Sequence, residues 1–300
     1  MAKKEITLKS VDGYDLSLAI YEPKTPKAII QFIHGMEEYK ERYQAFAEYL
    51  SDNGYICVTS DLRGHGKSAP ILSHISNKRG DKLLIEDQKV IRNYIKETYK
   101  DFPVYLFGHS MGTIIARVLI QSEGDKYSKI ALSGYVNPNP VAGFGKVLTK
   151  CMTCFKGPKG HSKFINGLAV GAFNKSINNP RTPLDWLSYN EENVDKYIAD
   201  PLCGVEFTLG SFYALMALLA KMGKAKAYKT VRGETPILLI AGKDDPCTGF
   251  DKGREASKAL LEKVGYKEVE VVTLDNMRHE ILNEVDNQKV FVNIYRFFDK

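Results

Sequence analysis

Short blocks of consecutive apolar residues recur along this chain, and between them the apolar positions shift to helical spacing. The blocks at 27–33, 55–60, 103–107, 129–133, 236–241 and 267–274 have the length and β-branched or aromatic content of strands, the first of them apolar enough to be buried on both faces. Tyr43, Phe46, Ala47 and Leu50 form one helical stripe, and Val90, Ile91, Tyr94 and Ile95 form the inward side of a helix over 81–99. Ile114, Ile115, Val118 and Leu119 mark a third helix over 113–121, and further helices are expected at 252–264 and from about 283. Residues 5–21 read as two strands around an Asp12-Gly13 turn, a hairpin signal. Asn53-Gly54 closes the first helix before the next strand. Strand and helix repeating in this order predict an α/β fold with a mostly parallel, doubly wound sheet.

The rhythm breaks between 135 and 227, where no strand-like run occurs. Val141, Phe144, Leu148, Met152 and Phe155 fall on one helical face with Lys146 and Lys150 opposite, and 212–222 is a second apolar helix. Residues 1–134 and 228–300 are therefore expected to form the core, with 135–227 inserted as a helical cap over the carboxyl edge of the sheet. The apolar stripe has two readings: ordinary packing, or a surface turned to a pocket or to transient contact with a lipid surface.

Charge narrows the classes. The balance of 42 basic to 36 acidic residues is a diffuse +6, and no basic run exceeds two residues, which argues against nucleic acid as a partner. The start of the chain is charged but has no apolar core behind it, so no signal peptide is expected. The longest apolar run, 212–220, is far short of the roughly 20 residues a membrane span needs. Five cysteines, an odd number without framework spacing, suit a reducing cytoplasm. Cys151 and Cys154 have no second pair to complete a zinc site and read as structural.

Candidate chemistry centres on Gly108-His109-Ser110-Met111-Gly112, placed between a strand and a helix. In this pattern the serine sits in a sharp strained turn, and side chains on the flanking glycines would collide with neighbouring backbone. A serine hydroxyl needs a base to take its proton and an acid to orient the base, in the chain order serine, carboxylate, histidine. Beyond Ser110 only His161 and His279 exist. His279 follows a strand in a loop that can reach the sheet edge and is the candidate base, whereas His161 lies among glycine-rich turns and reads as solvated. Asp245, fixed in direction by Pro246, is the first candidate carboxylate, with Asp244 and Asp275 as alternatives. The backbone N–H groups of Met111 and Met36 are the candidate oxyanion donors. Gly66-Lys67-Ser68 mimics the end of a phosphate loop, but Asp61 stands where glycine belongs, so the stretch reads as a structural loop with buried polar contacts. A serine at the elbow, where an aspartate would serve dehalogenase or epoxide-hydrolase chemistry, leaves an acyl-serine intermediate, and this chemistry implies no cofactor.

Five motifs carry a resemblance: His34-Gly35-Met36 with Glu38, Arg42 and Tyr43; Asp61-Leu62-Arg63-Gly64-His65-Gly66 with Ser68; the Ser110 pentapeptide; Gly242 with Asp245-Pro246; and Arg278-His279-Glu280. Together they resemble the serine aminopeptidase-like branch of the α/β-hydrolases, which includes monoacylglycerol lipases and lysophospholipases. Residues 135–227 match loosely, although 181–188 looks like a segment recurring in bacterial members. Thr113 replaces a frequent second glycine and Tyr39 a frequent histidine. The resemblance implies an α/β-hydrolase fold and hydrolysis of a small lipid or ester. A short-chain or aromatic-acyl esterase and an aminopeptidase are the rival activities; the last needs acidic residues near the pocket, for which Asp185, Glu191 and Glu206 are candidates. A non-catalytic binding protein on the same scaffold is the remaining alternative.

Overall fold

The apolar blocks become the interior strands of one eight-stranded sheet in the computed structural model, which describes residues 2–139, 141–169 and 171–300 apart from the side chain of Ser68; Met1, Pro140, Val170 and that side chain lie outside the described residues. The strands are β1 (Ala2–Lys9), β2 (Asp15–Glu22), β3 (Ala28–Ile33), β4 (Tyr55–Ser60), β5 (Val104–His109), β6 (Lys129–Ser133), β7 (Ile237–Gly242) and β8 (Val269–Leu274). Their spatial order is β1-β2-β4-β3-β5-β6-β7-β8. Only β2 runs antiparallel to its neighbours β1 and β4, and the rest pair in parallel. The predicted hairpin closes at Gly13, whose φ of 82° is the left-handed conformation such a turn requires.

Every residue of β3, β4 and β7 is buried, as their apolar sequences demand. Side chains alternate between two cores. Ile29, Ile33, Leu106, Ile130 and Leu239 face α2 (Gly80–Thr98), α3 (Met111–Glu123) and α8 (Phe250–Lys263), while Ile30, Phe32, Phe107, Ala131 and Ile240 face α1 (Gln44–Asp52) and α9 (Asn287–Asp299). The polar exception, Gln31, is satisfied: its amide donates to the Gln88 backbone and side chain, and Tyr127 Oη donates to it. The edge strand β1 is exposed and carries Lys3, Lys4 and Glu5, charges that discourage pairing with another chain.

Between β6 and β7 the chain forms α4 (Ala142–Lys156), α5 (Lys163–Ala169), α6 (Glu191–Ala199) and α7 (Leu209–Met222), with no strand among the described residues. The stripe on α4 divides. Leu148 and Met152 pack against the core, whereas Phe144 and Phe155 are 72% and 89% exposed. The last helix also starts later than expected. Residues 281–283 form a 3₁₀ turn and Glu284 is extended, because its carboxylate accepts from the N–H groups of Arg278, Tyr189 and Asn190 and from Ser188 Oγ. No helix among the described residues is long and apolar enough to cross a membrane.

The loop after β4 is held by buried ion pairs. Lys40 and Asp61 meet at 2.9 Å with both side chains fully enclosed. Arg63 donates twice to Asp87 at 2.7 Å and also reaches Asp12. Breaking such a pair leaves a charge stranded in low dielectric, at a cost of about 3–5 kcal/mol. Lys40→Met is therefore expected to lower the thermal midpoint by on the order of 10 °C. Adding Asp61→Asn to that variant should return part of the loss, which calorimetry on both proteins will measure.

Candidate active site

The carboxyl ends of β3, β5, β7 and the segment following β8 open on one edge of the sheet, where a parallel arrangement places its sites. At the end of β5 the backbone of Ser110 adopts φ 52° and ψ −121°, a strained conformation for a residue with a β-carbon. The turn is so tight that neighbouring positions must be glycine. A β-carbon on Gly112 would overlap the Ile33 carbonyl and lie 2.7 Å from the His34 carbonyl oxygen, and one on Gly108 would lie 2.9 Å from the Gly112 carbonyl oxygen. Helix α3 starts directly after Ser110, so the Met111 N–H lies at the positive end of the helix, with no partner among the described residues.

The structure brings Ser110, His279 and Asp245 together. Ser110 Oγ lies 2.8 Å from His279 Nε2, and His279 Nδ1 lies 3.1 and 3.0 Å from the two Asp245 oxygens. With the ring proton on Nδ1, the imidazole donates to Asp245 and accepts from the Ser110 hydroxyl. Asp245 is fully buried and also accepts from Cys247 N–H at 2.8 Å, a bond that the extended residue before Pro246 can make. His279 is wedged between His109 and Trp186, with ring centroids 4.9 and 5.0 Å away.

Electrostatics at this cluster oppose one another. Burial pulls the His279 pKa down, while the Cys247 sulfur and the Asp245 carboxylate push it up, and the net direction is above the ordinary imidazole value. Burial also pushes the Cys247 thiol up to about 11, so it is uncharged near neutrality and the upward pull there comes from Asp245. Burial, with His279 beside it, holds His109 down at about 3, so that ring stays neutral. Asp245, Cys247 and His279 are, among the described residues, the one group with the composition of a metal site, their ligand atoms lying within 4.8 Å of one another. Two of the three already bond each other, and the third is a protonated thiol.

Met36 and Met111 flank the serine. Both line the same cavity, and neither backbone N–H donates to another group among the described residues. The turn holding Met36 is built from buried polar groups. His34 accepts from Leu62 N–H at Nε2 and donates from Nδ1 to the Gly35 carbonyl. Glu38 accepts from Gly35 N–H and Tyr43 Oη, and Arg42 bridges Glu38 to Glu280, the residue after His279.

The alternatives lie elsewhere. Asp244 is bonded to Tyr189 Oη, Asp275 pairs with Lys243 at the surface, and His161 is exposed. Asp185 is consumed by the turn at Arg181 and Thr182, and Asp185, Glu191 and Glu206 are absent from the cavity lining. Cys151 and Cys154 are exposed and free. Asp61 in the phosphate-loop mimic is buried against Lys40, in keeping with a structural loop. The sequence did not point to Trp186 or Cys247, because nothing in their spacing marks them as neighbours of His279.

Above Ser110 lies a cavity of about 640 Å³, within the range of about 300–1,000 Å³ usual for small-molecule sites. Phe144 and Leu148 of α4, Ile165 of α5 and Leu215 of α7 make much of its wall apolar.

A serine elbow on a sheet of this order defines an α/β-hydrolase. The sequence model of the family described as serine aminopeptidase, S33, matches residues 24–286, and the chain belongs to that family. It is similar to the monoglyceride lipase of Mus musculus, at 27% identity over 93% of this chain and 88% of the relative. It is also similar to the monoacylglycerol lipase of Mycolicibacterium smegmatis, at 25% identity over 97% and 95%. A thermostable carboxyl esterase from Bacillus coagulans superposes with a TM-score of 0.90 and 27% identity, covering 100% of this chain and 98% of that one.

The charge on Asp245 favours the protonated imidazole, so activity that needs neutral His279 is expected to rise with pH along a limb lying above 6.5. In Asp245→Asn the upward pull of the carboxylate is gone while burial still pulls down, so the limb should shift to lower pH, with turnover reduced roughly 10⁴-fold. A pH–rate profile of both proteins measures the shift.

Proposed function

We propose that this chain is a serine hydrolase of carboxylic esters, of the monoacylglycerol or lysophospholipid type, with Ser110 as nucleophile. The observation that carries the reading is the 2.8 Å contact of Ser110 Oγ with His279 Nε2, backed by buried Asp245, at the floor of an apolar cavity. Ser110 Oγ attacks the acyl carbonyl carbon while His279 takes its proton. Asp245 holds the ring in the required tautomer and stabilises the imidazolium. The N–H groups of Met36 and Met111 stabilise the oxyanion, His279 returns the proton to the departing alcohol, and water then cleaves the acyl-serine by the same route.

Residues 135–227 act as the cap in this reading. Their helices supply the apolar wall against which an acyl chain loses its contact with water. Phe155, almost fully exposed, and half-covered neighbours such as Phe164 and Leu168 support transient contact of this cap with a lipid surface. Five free cysteines, three of them buried, support a reducing compartment such as the cytoplasm. The names of the relatives and of the B. coagulans esterase support an ester as substrate.

Ser110→Ala is expected to reduce ester turnover by roughly 10⁴- to 10⁶-fold while leaving the unfolding midpoint in place. An organophosphonate probe should label the parent protein at Ser110 and leave the variant unlabelled. A series of monoacylglycerols, lysophospholipids and p-nitrophenyl esters of increasing chain length, beside a proline-peptide substrate, should show long acyl esters preferred. Preference for two-carbon acyl groups, or for the peptide, would sink the lipase reading.

A further inference from the structure

Charged side chains meet the cavity in one place only. Glu37, Glu38 and Glu280 line it, and no lysine or arginine does among the described residues. Two of these carboxylates are already fully used. Glu38 accepts from Gly35 N–H, Tyr43 Oη and Arg42, and Glu280 accepts two bonds from Arg42 and one from Asn193 Nδ2. Glu37 differs. Its Oε1 accepts from Phe207 N–H at 3.2 Å, and its Oε2 has no hydrogen-bond partner among the described residues.

The chain goes to some length to hold this carboxyl there. Glu37 has φ 57°, in the left-handed region that a residue with a β-carbon seldom occupies. Its backbone carbonyl accepts from Gly204 N–H at 2.9 Å and from Tyr197 Oη at 2.8 Å, so three groups of the cap clasp one residue next to the oxyanion donor Met36. Strain that persists because the surroundings over-determine it is a mark of functional positions. Burial, with Glu206 adding to it and the Phe207 N–H opposing, pushes the carboxyl up to about 7. Among the described residues no cation pairs with it.

We propose that Glu37 determines specificity on the alcohol side of the scissile ester, its unengaged oxygen bonding a hydroxyl of an uncharged polyol leaving group such as glycerol. The inference rests on the ester-hydrolase reading and deepens it. The acyl chain takes the apolar wall, and the polar end beside Met36 is left for the alcohol. A hydroxyl satisfies a carboxyl oxygen whether that group is ionised or neutral. A phosphate-bearing alcohol would bring its charge beside the Glu37 carboxyl, with no lysine or arginine lining the cavity among the described residues, so like charge works against it.

The test compares 1-monooleoylglycerol, methyl oleate and 1-oleoyl lysophosphatidate in one detergent system, with the parent protein, Glu37→Gly and Glu37→Gln. Glycine keeps the left-handed backbone without strain and deletes the carboxyl, while glutamine keeps the shape and removes the charge. In Glu37→Gly the preference in kcat/KM for the glycerol ester over the methyl ester is expected to fall roughly tenfold, chiefly through KM. In Glu37→Gln the fall should be smaller, and in both variants the discrimination against the phosphate ester should narrow. Because each preference is a ratio on one preparation, partial misfolding cancels. Preferences within twofold of the parent in both variants, or equal losses on all three esters, would overturn the assignment of Glu37 alone. A parent protein that preferred amino-acid esters over the glycerol ester, with that preference lost in Glu37→Gln, would place an ammonium group there and overturn it too. Hydrolysis of none of the esters by the parent protein would overturn the ester-hydrolase reading and this inference together.

Discussion

Backbone crowding between the end of β3 and the start of α3 is the constraint on which the site depends. Helix α3 approaches so closely that Gly112 has no room for a β-carbon beside the Ile33 carbonyl. That approach leaves one way for the chain to pass from β5 into the helix, through the strained turn at Ser110. The hydroxyl is thereby lifted above the sheet edge, and the Met111 N–H emerges beside it at the positive end of the helix. A looser turn would relieve Ser110 and lose both placements. The parallel core supplies the rigidity that holds the strain, since β3 and β5 are hydrogen-bonded neighbours along their length.

A second layer of order comes from polar groups buried at the same edge. Arg42 joins Glu38, which shapes the turn at Met36, to Glu280, which follows His279, and Asn193 of α6 joins the same group. Arg42 also lies over the Tyr197 ring at 4.9 Å. The Met36 turn, the histidine loop and the helical segment above are thus bound through one guanidinium. Burying several charges together is tolerable because nearly every donor and acceptor in the group is used, and loss of any one would leave the others stranded. Glu284 does similar work a few residues on, tying the histidine loop to residues 188–190.

Above this polar floor the wall changes character. Side chains from α4, α5 and α7 turn apolar surface inward, yet Phe144 remains mostly exposed while it lines the cavity. An aromatic residue in that position links the interior of the cavity to the outer apolar surface, where Phe155 and Phe164 also stand free.

Local chemistry made much of this legible in the residues themselves. Strand and helix alternation, the hairpin at Gly13, the serine between two glycines, and a histidine and an Asp-Pro step each placed after a strand are all patterns in which one short segment dictates its own backbone. Preference for Asp245 over Asp244 rests on the extended conformation that proline imposes on its predecessor, and over Asp275 on that residue's place in the histidine's own loop. Other features depend on residues far apart in the chain. The division of the α4 stripe, the late start of α9, the wedge of Trp186 on His279 and the single unengaged oxygen of Glu37 are decided by what packs opposite them. Sequence periodicity determines which face of an element is apolar, since that follows from backbone geometry alone. Only the tertiary structure decides what each face meets, because packing and hydrogen-bond satisfaction are properties of the whole assembly of elements.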